Sequence, residues 1–242
     1  MKFTQLSFAL ITSLAVISSV HATVESKSRA STDLILSSTA VAVGINGMFG
    51  GTAMDFAHLK AFGADGHGVY HFAGSDIPVA SHQGLGVWGF KQIGSNAIYF
   101  GEWAKESKDS TGNYSKQADD ATHTVFYIGD HADSSISSTG TVTYNVSGLN
   151  NGNYYAGNYS ANFDTNNLTG SLTDDVDTFN IGNATINASN AQISGNNAFW
   201  SGANLNATGG EVSGQFFNHQ QDLAGIATFA DRTHDIAFGG SK

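Results

Sequence analysis

Between residues 141 and 240 the chain repeats one pattern, in which bulky residues alternate with small or polar ones in short runs. The runs are TVTYNVSGL (141–149), YAGNYSANF (155–163), DTFNIGNATI (177–186), AFWSGANLNA (198–207), GEVSGQFF (210–217), LAGIATFA (223–230) and DIAFGG (235–240). Turn signals such as NNGN, TNN and TGG separate them at hairpin intervals. A two-residue period with Gly- and Asn-rich turns is the signature of short antiparallel strands. In the second run Tyr155, Tyr159, Ala161 and Phe163 share one face. The sequence holds no cysteine, so disulfides cannot protect the edges of such a sheet. Closing it into a small barrel removes those edges altogether.

The rest of the composition agrees with an all-β chain carrying minor α structure. Charged residues make up only 12%, glycines number 29 and Pro78 is the sole proline. Asn and Gly accept the positive φ of tight hairpins. HADSSISSTG (131–140) is small and polar and reads as a linker, giving an N-terminal domain over 23–134 and a C-terminal domain over 135–242. Upstream, AMDFAHLKAF (53–62) suits a short helix, while LGVWGFKQIG, NAIYFGEWAK and HTVFYIGD read as strands. In the second of these strands Tyr99, Gly101 and Trp103 take one face, Phe100 and Glu102 the other.

Residues 1–22 have the form of an export signal: Lys2, then LSFALITSLAVISSV, then VHA before Thr23. The apolar stretch is too short to span a bilayer. With no cysteine there is no lipid-anchoring residue after the signal, so the expected state is secreted, or held at the surface by other contacts. From Lys116 to Arg232 the chain has no intervening Lys or Arg but eleven acids. This argues against a nucleic-acid partner and against adhesion to an anionic membrane.

The stretch GGEVSGQFFNHQQDLAGIATFADRTHDIAFGGSK (209–242) resembles the C-terminal barrel of transferrin-binding-protein-B-like surface proteins. The resemblance rests on Gly214–Phe217, Asp222–Gly225 and Ala237–Gly239, and Asn218 departs from the family's usual glycine. GVWGFKQIGSNAIYFGEWAKES and HTVFYIGD resemble the handle domain of the smaller members, the hemophilin-like hemophores exported through the Slam outer-membrane translocon. The resemblance covers roughly residues 84 to 242. It implies an N-terminal β-rich handle, a C-terminal eight-stranded antiparallel β-barrel and bound heme b. It also implies heme delivery to a TonB-dependent receptor, with hemoglobin among the possible sources. A host-protein-binding or immune-evasion factor of the same architecture is the alternative.

Four histidines lie close together in sequence: His58, His67, His71 and His82. Heme needs a wide apolar slot and one or two imidazoles on iron. Tyr70, Phe72, Met54, Phe56 and Val79 supply the apolar character, and glycines beside His67 and His82 allow close backbone approach. The expected iron ligands are therefore His67 and His82, with His71 and His58 in reserve, and Lys60, Lys91 or Arg29 could pair with propionates. On a strand His67 and His71 would stand about 13 Å apart, too far for one zinc ion. A helix would bring them together, but Gly66 and Gly68 oppose one. His123 reads as structural, and His131 in the linker, His219 at a hairpin turn and His234 beside Asp235 are not expected to be ligands. No nucleophile elbow, zinc-protease helix or phosphate-cradling loop occurs, so an enzyme is not expected.

Overall fold

The computed structural model describes residues 23–46, 53–77 and 84–242. The N-terminal half contains β1 (Glu25–Ser28), β2 (Leu34–Leu36), β3 (Ala42–Ile45), β4 (Met54–Asp55), α1 (Phe56–Leu59), β5 (Val69–Ala73), β6 (Val87–Gln92), β7 (Ile98–Ala104), β8 (Glu106–Lys108), β9 (Tyr114–Ala118) and β10 (Thr124–Gly129). The C-terminal half contains β11 (Thr141–Asn150), β12 (Asn153–Asn162), β13 (Asn167–Thr173), β14 (Asp177–Asn180), β15 (Ala184–Asn187), β16 (Gln192–Gly202), β17 (Ala207–Phe217), β18 (Asp222–Thr228) and β19 (Ile236–Ser241).

The C-terminal half is a closed antiparallel barrel. Strand β11 pairs with β12 on one side and with β19 on the other, which completes the ring. β14 and β15 both lie between β13 and β16 and act as two halves of one strand, so eight strands close the barrel. The alternation sends Tyr155, Tyr159, Ala161 and Phe163 inward, each no more than 6% exposed, onto Tyr144, Phe179, Trp200, Phe216 and Phe238.

The N-terminal half is built on a five-stranded sheet in the order β1-β10-β7-β6-β5. One face presents Phe72, Trp88, Phe90, Tyr99, Trp103 and Phe126 to α1 and to the small β2-β3-β4 sheet. The other face presents Val69, Ile98, Phe100, Val125 and Tyr127 to the outside of the barrel, where they bury Leu149, Phe217, Ala224, Ile226 and Ala237. Barrel interior, handle core and seam are thus three separate apolar clusters. Gly239, from the Ala-Phe-Gly motif, lies under this seam. A Cβ there would stand 2.5 Å from Ile93 Cδ1 and 2.7 Å from Phe100 Cδ1.

Polar groups fasten the same seam. Arg29 Nη1 donates to Asp235 and to the Phe229 carbonyl at 2.7 Å, Arg232 Nη1 donates to the His123 carbonyl at 2.7 Å, and Asn96 Nδ2 donates to Asp222 at 2.8 Å. The 131–140 segment is itself fixed to the barrel. Asp133 N donates to the Phe216 carbonyl, Ile136 N to the Ala188 carbonyl, and the Gln220 amide oxygen accepts from Ser137 and Ser138. That network holds the β17–β18 turn, in which Asn218, His219 and Gln220 all take left-handed φ values of 53°, 59° and 57°. Asparagine tolerates this region better than most residues, which accounts for Asn218 at the position where a glycine was expected.

Candidate functional site

Strand β5 carries Tyr70, His71 and Phe72, and its two-residue period separates them. Tyr70 and Phe72 pair in register with Phe90 and Trp88 of β6, whereas His71 pairs with Gly89. The Tyr70 ring stacks on Phe90 at 5.1 Å, and Phe72 stacks on Trp88 at 5.7 Å. Phe62, just beyond α1, stacks on the outer side of Phe72 at 4.8 Å and is 45% exposed. An aromatic ladder therefore runs from the buried Trp88 through Phe72 to the surface at Phe62. Phe56 is core, stacked on Tyr99 at 4.1 Å, while Met54 is half-buried against the same cluster. Val79 lies outside the described residues.

The histidines divide between the two faces of the sheet. His58 sits on α1, one turn before Phe62, with its side chain 78% exposed. Asp55 caps that turn: its Oδ1 accepts from His58 N at 3.1 Å and pairs with His58 Nδ1 at 2.7 Å. These bonds hold the Asp55 carboxyl below the ordinary carboxylate range. His71 is on the opposite face, with Nε2 3.2 Å from Asp65 Oδ2 and Nδ1 turned toward Gly89. His67 is at the seam, its ring stacked at 4.3 Å on Tyr154 of β12 and its carbonyl accepting from Lys91 Nζ. Asp65 organises this turn by accepting from His67 N and Val69 N at 2.8 and 2.9 Å. Burial alone would raise its carboxyl, but the Val69, His67 and His71 hydrogen bonds outweigh that and lower it. His82 lies outside the described residues. Among the described residues no group of three or more His, Cys, Asp or Glu converges as a metal site.

A cavity of about 310 Å³ lies on the His71 face, bounded by His71, Gly89, Glu102, His123 and the Asn151–Gly152 turn. That is the lower end of the range for small-molecule sites, roughly 300–1,000 Å³. Its buried wall is structural. Glu102 Oε2 accepts from His123 Nε2 at 2.8 Å and from Asn151 N at 2.7 Å, while Oε1 accepts from Gly152 N at 2.6 Å. His123 Nδ1 faces the Arg232 carbonyl at 2.8 Å.

The three cations expected to meet propionates are placed differently. Lys60 Nζ lies 5.7 Å over the Tyr70 ring and donates to Gln92, beside the ladder. Lys91 is on the seam, over Tyr154 at 5.0 Å. Arg29 is bound to the fully buried Asp235 carboxylate and is not free for a ligand. Phe62 was missed from sequence because neither helical nor strand periodicity singles out the last residue of a short helical run. On the ladder side the structure combines an exposed aromatic edge, an imidazole one turn away and an ammonium beside a tyrosine, a set that suits heme.

Two family models match the chain in succession: the HphA N-terminal heme-binding domain over residues 17–115 and the HphA C-terminal domain over residues 134–242. The chain belongs to the hemophilin (HphA) family. The heme-binding model spans His58, His67, His71, His82 and Phe62, and stops short of His123. Among solved structures, the hemophilin chain is similar to intact Ap-TbpB with its N and C lobes, at TM-score 0.52 and 14% identity, over 90% of this chain and 46% of that one. It is also similar to isotype 1 transferrin binding protein B from serogroup B Neisseria meningitidis, at TM-score 0.54 and 12% identity, over 90% of this chain and 43% of that one. At such identity the likeness is one of fold, and this hemophilin spans less than half the length of either. Among the described residues no helix is long and apolar enough to cross a membrane.

Proposed function

We propose that this hemophilin is a secreted hemophore. It takes up one heme b in a handle over residues 23–134, drawn from host hemoproteins such as hemoglobin, and passes it to a TonB-dependent outer-membrane receptor. Residues 1–22 direct it out of the cytoplasm, and the barrel over 135–242 accompanies it through the Slam translocon. The observation that carries the reading is the exposed Phe62 edge of the Phe62–Phe72–Trp88 ladder within the heme-binding family match.

His58 sits on α1, on the ladder's side of the sheet, and His82 follows the strand that carries Phe72, so these two are the preferred iron ligands. His67 and His71, on the barrel side, rank behind them. Bound heme would supply an iron that the histidines would hold; the chain's own part is to exclude water from the macrocycle and position the imidazoles. Neutral imidazole is the ligating form, so acid should weaken binding. Mixing the apo-protein with methemoglobin tests capture: a Soret band moving to the hemophilin fraction on gel filtration supports it, and heme retained by hemoglobin at equimolar protein refutes it.

A further inference from the structure

The β8–β9 hairpin begins with a buried carboxylate. Glu106 is only 6% exposed. A carboxylate is tolerated in such a position only when its oxygens are hydrogen-bonded or paired. Both are engaged with backbone: Oε1 accepts from Ser75 N at 2.7 Å and Oε2 from Gly84 N at 3.0 Å. Ser75 and Gly84 lie near the two ends of the connection from β5 to β6, residues 74–86, and a single side chain from a different element joins them.

Neighbouring bonds anchor the same neck to the handle core. Gly74 N donates to the Gly86 carbonyl at 2.9 Å. The Leu85 carbonyl accepts from both Trp88 Nε1 and Trp103 Nε1 at 2.9 Å. Gly86, at φ +88°, lies so close to Trp103 that a Cβ would stand 2.2 Å from its Nε1. Through Trp88 and Phe72 the neck is continuous with the aromatic ladder.

We propose that Glu106 is a positioning residue for heme retention, setting the spacing of Ser75 and Gly84 against the ladder without touching the heme. This rests on the reading that heme is held in the N-terminal half. In Glu106→Gln the volume is kept, but one oxygen becomes an NH2 group that cannot accept a backbone N–H. Loss of one charged hydrogen bond predicts hemin release to excess apomyoglobin about tenfold faster than wild type. Amide exchange of apo-protein peptides covering 73–86 should also accelerate. Glu106→Asp, which keeps both acceptors, should fall between the two and covers a folding failure of the glutamine variant.

Asp222→Asn alters another buried carboxylate, at the seam, and should leave hemin release unchanged. Wild-type release rates in both Glu106 variants would overturn the proposal while leaving heme binding intact. A wild-type protein that takes up no hemin would overturn the heme reading and this proposal together.

Discussion

Replacing His123 with alanine should loosen the handle from the barrel by an amount that depends on pH. The ring is 2% exposed and both its nitrogens face acceptors: Glu102 Oε2 at 2.8 Å and the Arg232 carbonyl oxygen at 2.8 Å. Neither acceptor can donate, so only the imidazolium, with two N–H groups, satisfies both. Burial pushes the His123 pKa down, but the hydrogen bond and charge of Glu102, the Arg232 carbonyl and the charge of Asp235 together raise it above the ordinary 6.5. Breaking a buried ion pair by removing one partner costs about 3–5 kcal/mol. The lower figure applies here, because Glu102 keeps the Asn151 and Gly152 amides.

At about 2–4 °C per kcal/mol for a chain of this size, about 3 kcal/mol lowers Tm by roughly 6–12 °C. A raised folded pKa gives stabilisation that is complete below the unfolded value of about 6.5 and is lost as pH rises through the folded value. Calorimetric unfolding of wild type and His123→Ala at pH 6 and pH 9 should therefore give a gap that is wide at pH 6 and narrow at pH 9. Equal gaps at both pH values, a gap that widens with pH, or no gap would refute the argument.

Gly239→Ala should be destabilising by about 1–3 kcal/mol, because the new methyl overlaps Ile93 and Phe100, and denaturant titration would measure it. Phe62→Ala should alter stability by less than about 0.5 kcal/mol, given the ring's exposure, yet weaken hemin binding in a Soret titration. Of the four single alanine variants, those at His58 and His82 should shift the Soret and visible bands, while those at His67 and His71 keep the wild-type spectrum.

The barrel was legible because each strand has one covered face, so period-two alternation survives, and the 155–163 run turns inward the four residues read as its buried face. β7 was harder. Every residue from Ile98 to Ala104 is buried, with the α1 and β2–β4 layer on one side and the barrel on the other, which blurs the amphipathic signal. Even so, the two clusters divide Tyr99 and Trp103 from Phe100 as its alternation does, and Glu102 turns to His123 and the Asn151–Gly152 turn. The histidines looked like one cluster because their spacing is short, although strand alternation already separates His71 from Tyr70 and Phe72. The contacts of His67 with Tyr154, His123 with Arg232 and Glu106 with Ser75 and Gly84 join distant segments, and no local pattern encodes them.

The most direct test of heme capture by the N-terminal half is hemin titration of the purified apo-protein, followed at the Soret band beside the Phe62→Ala variant. The proposed function predicts a saturable change with a break at one hemin per chain for wild type and weaker binding for the variant. A featureless, non-saturating rise identical in the two proteins would contradict it.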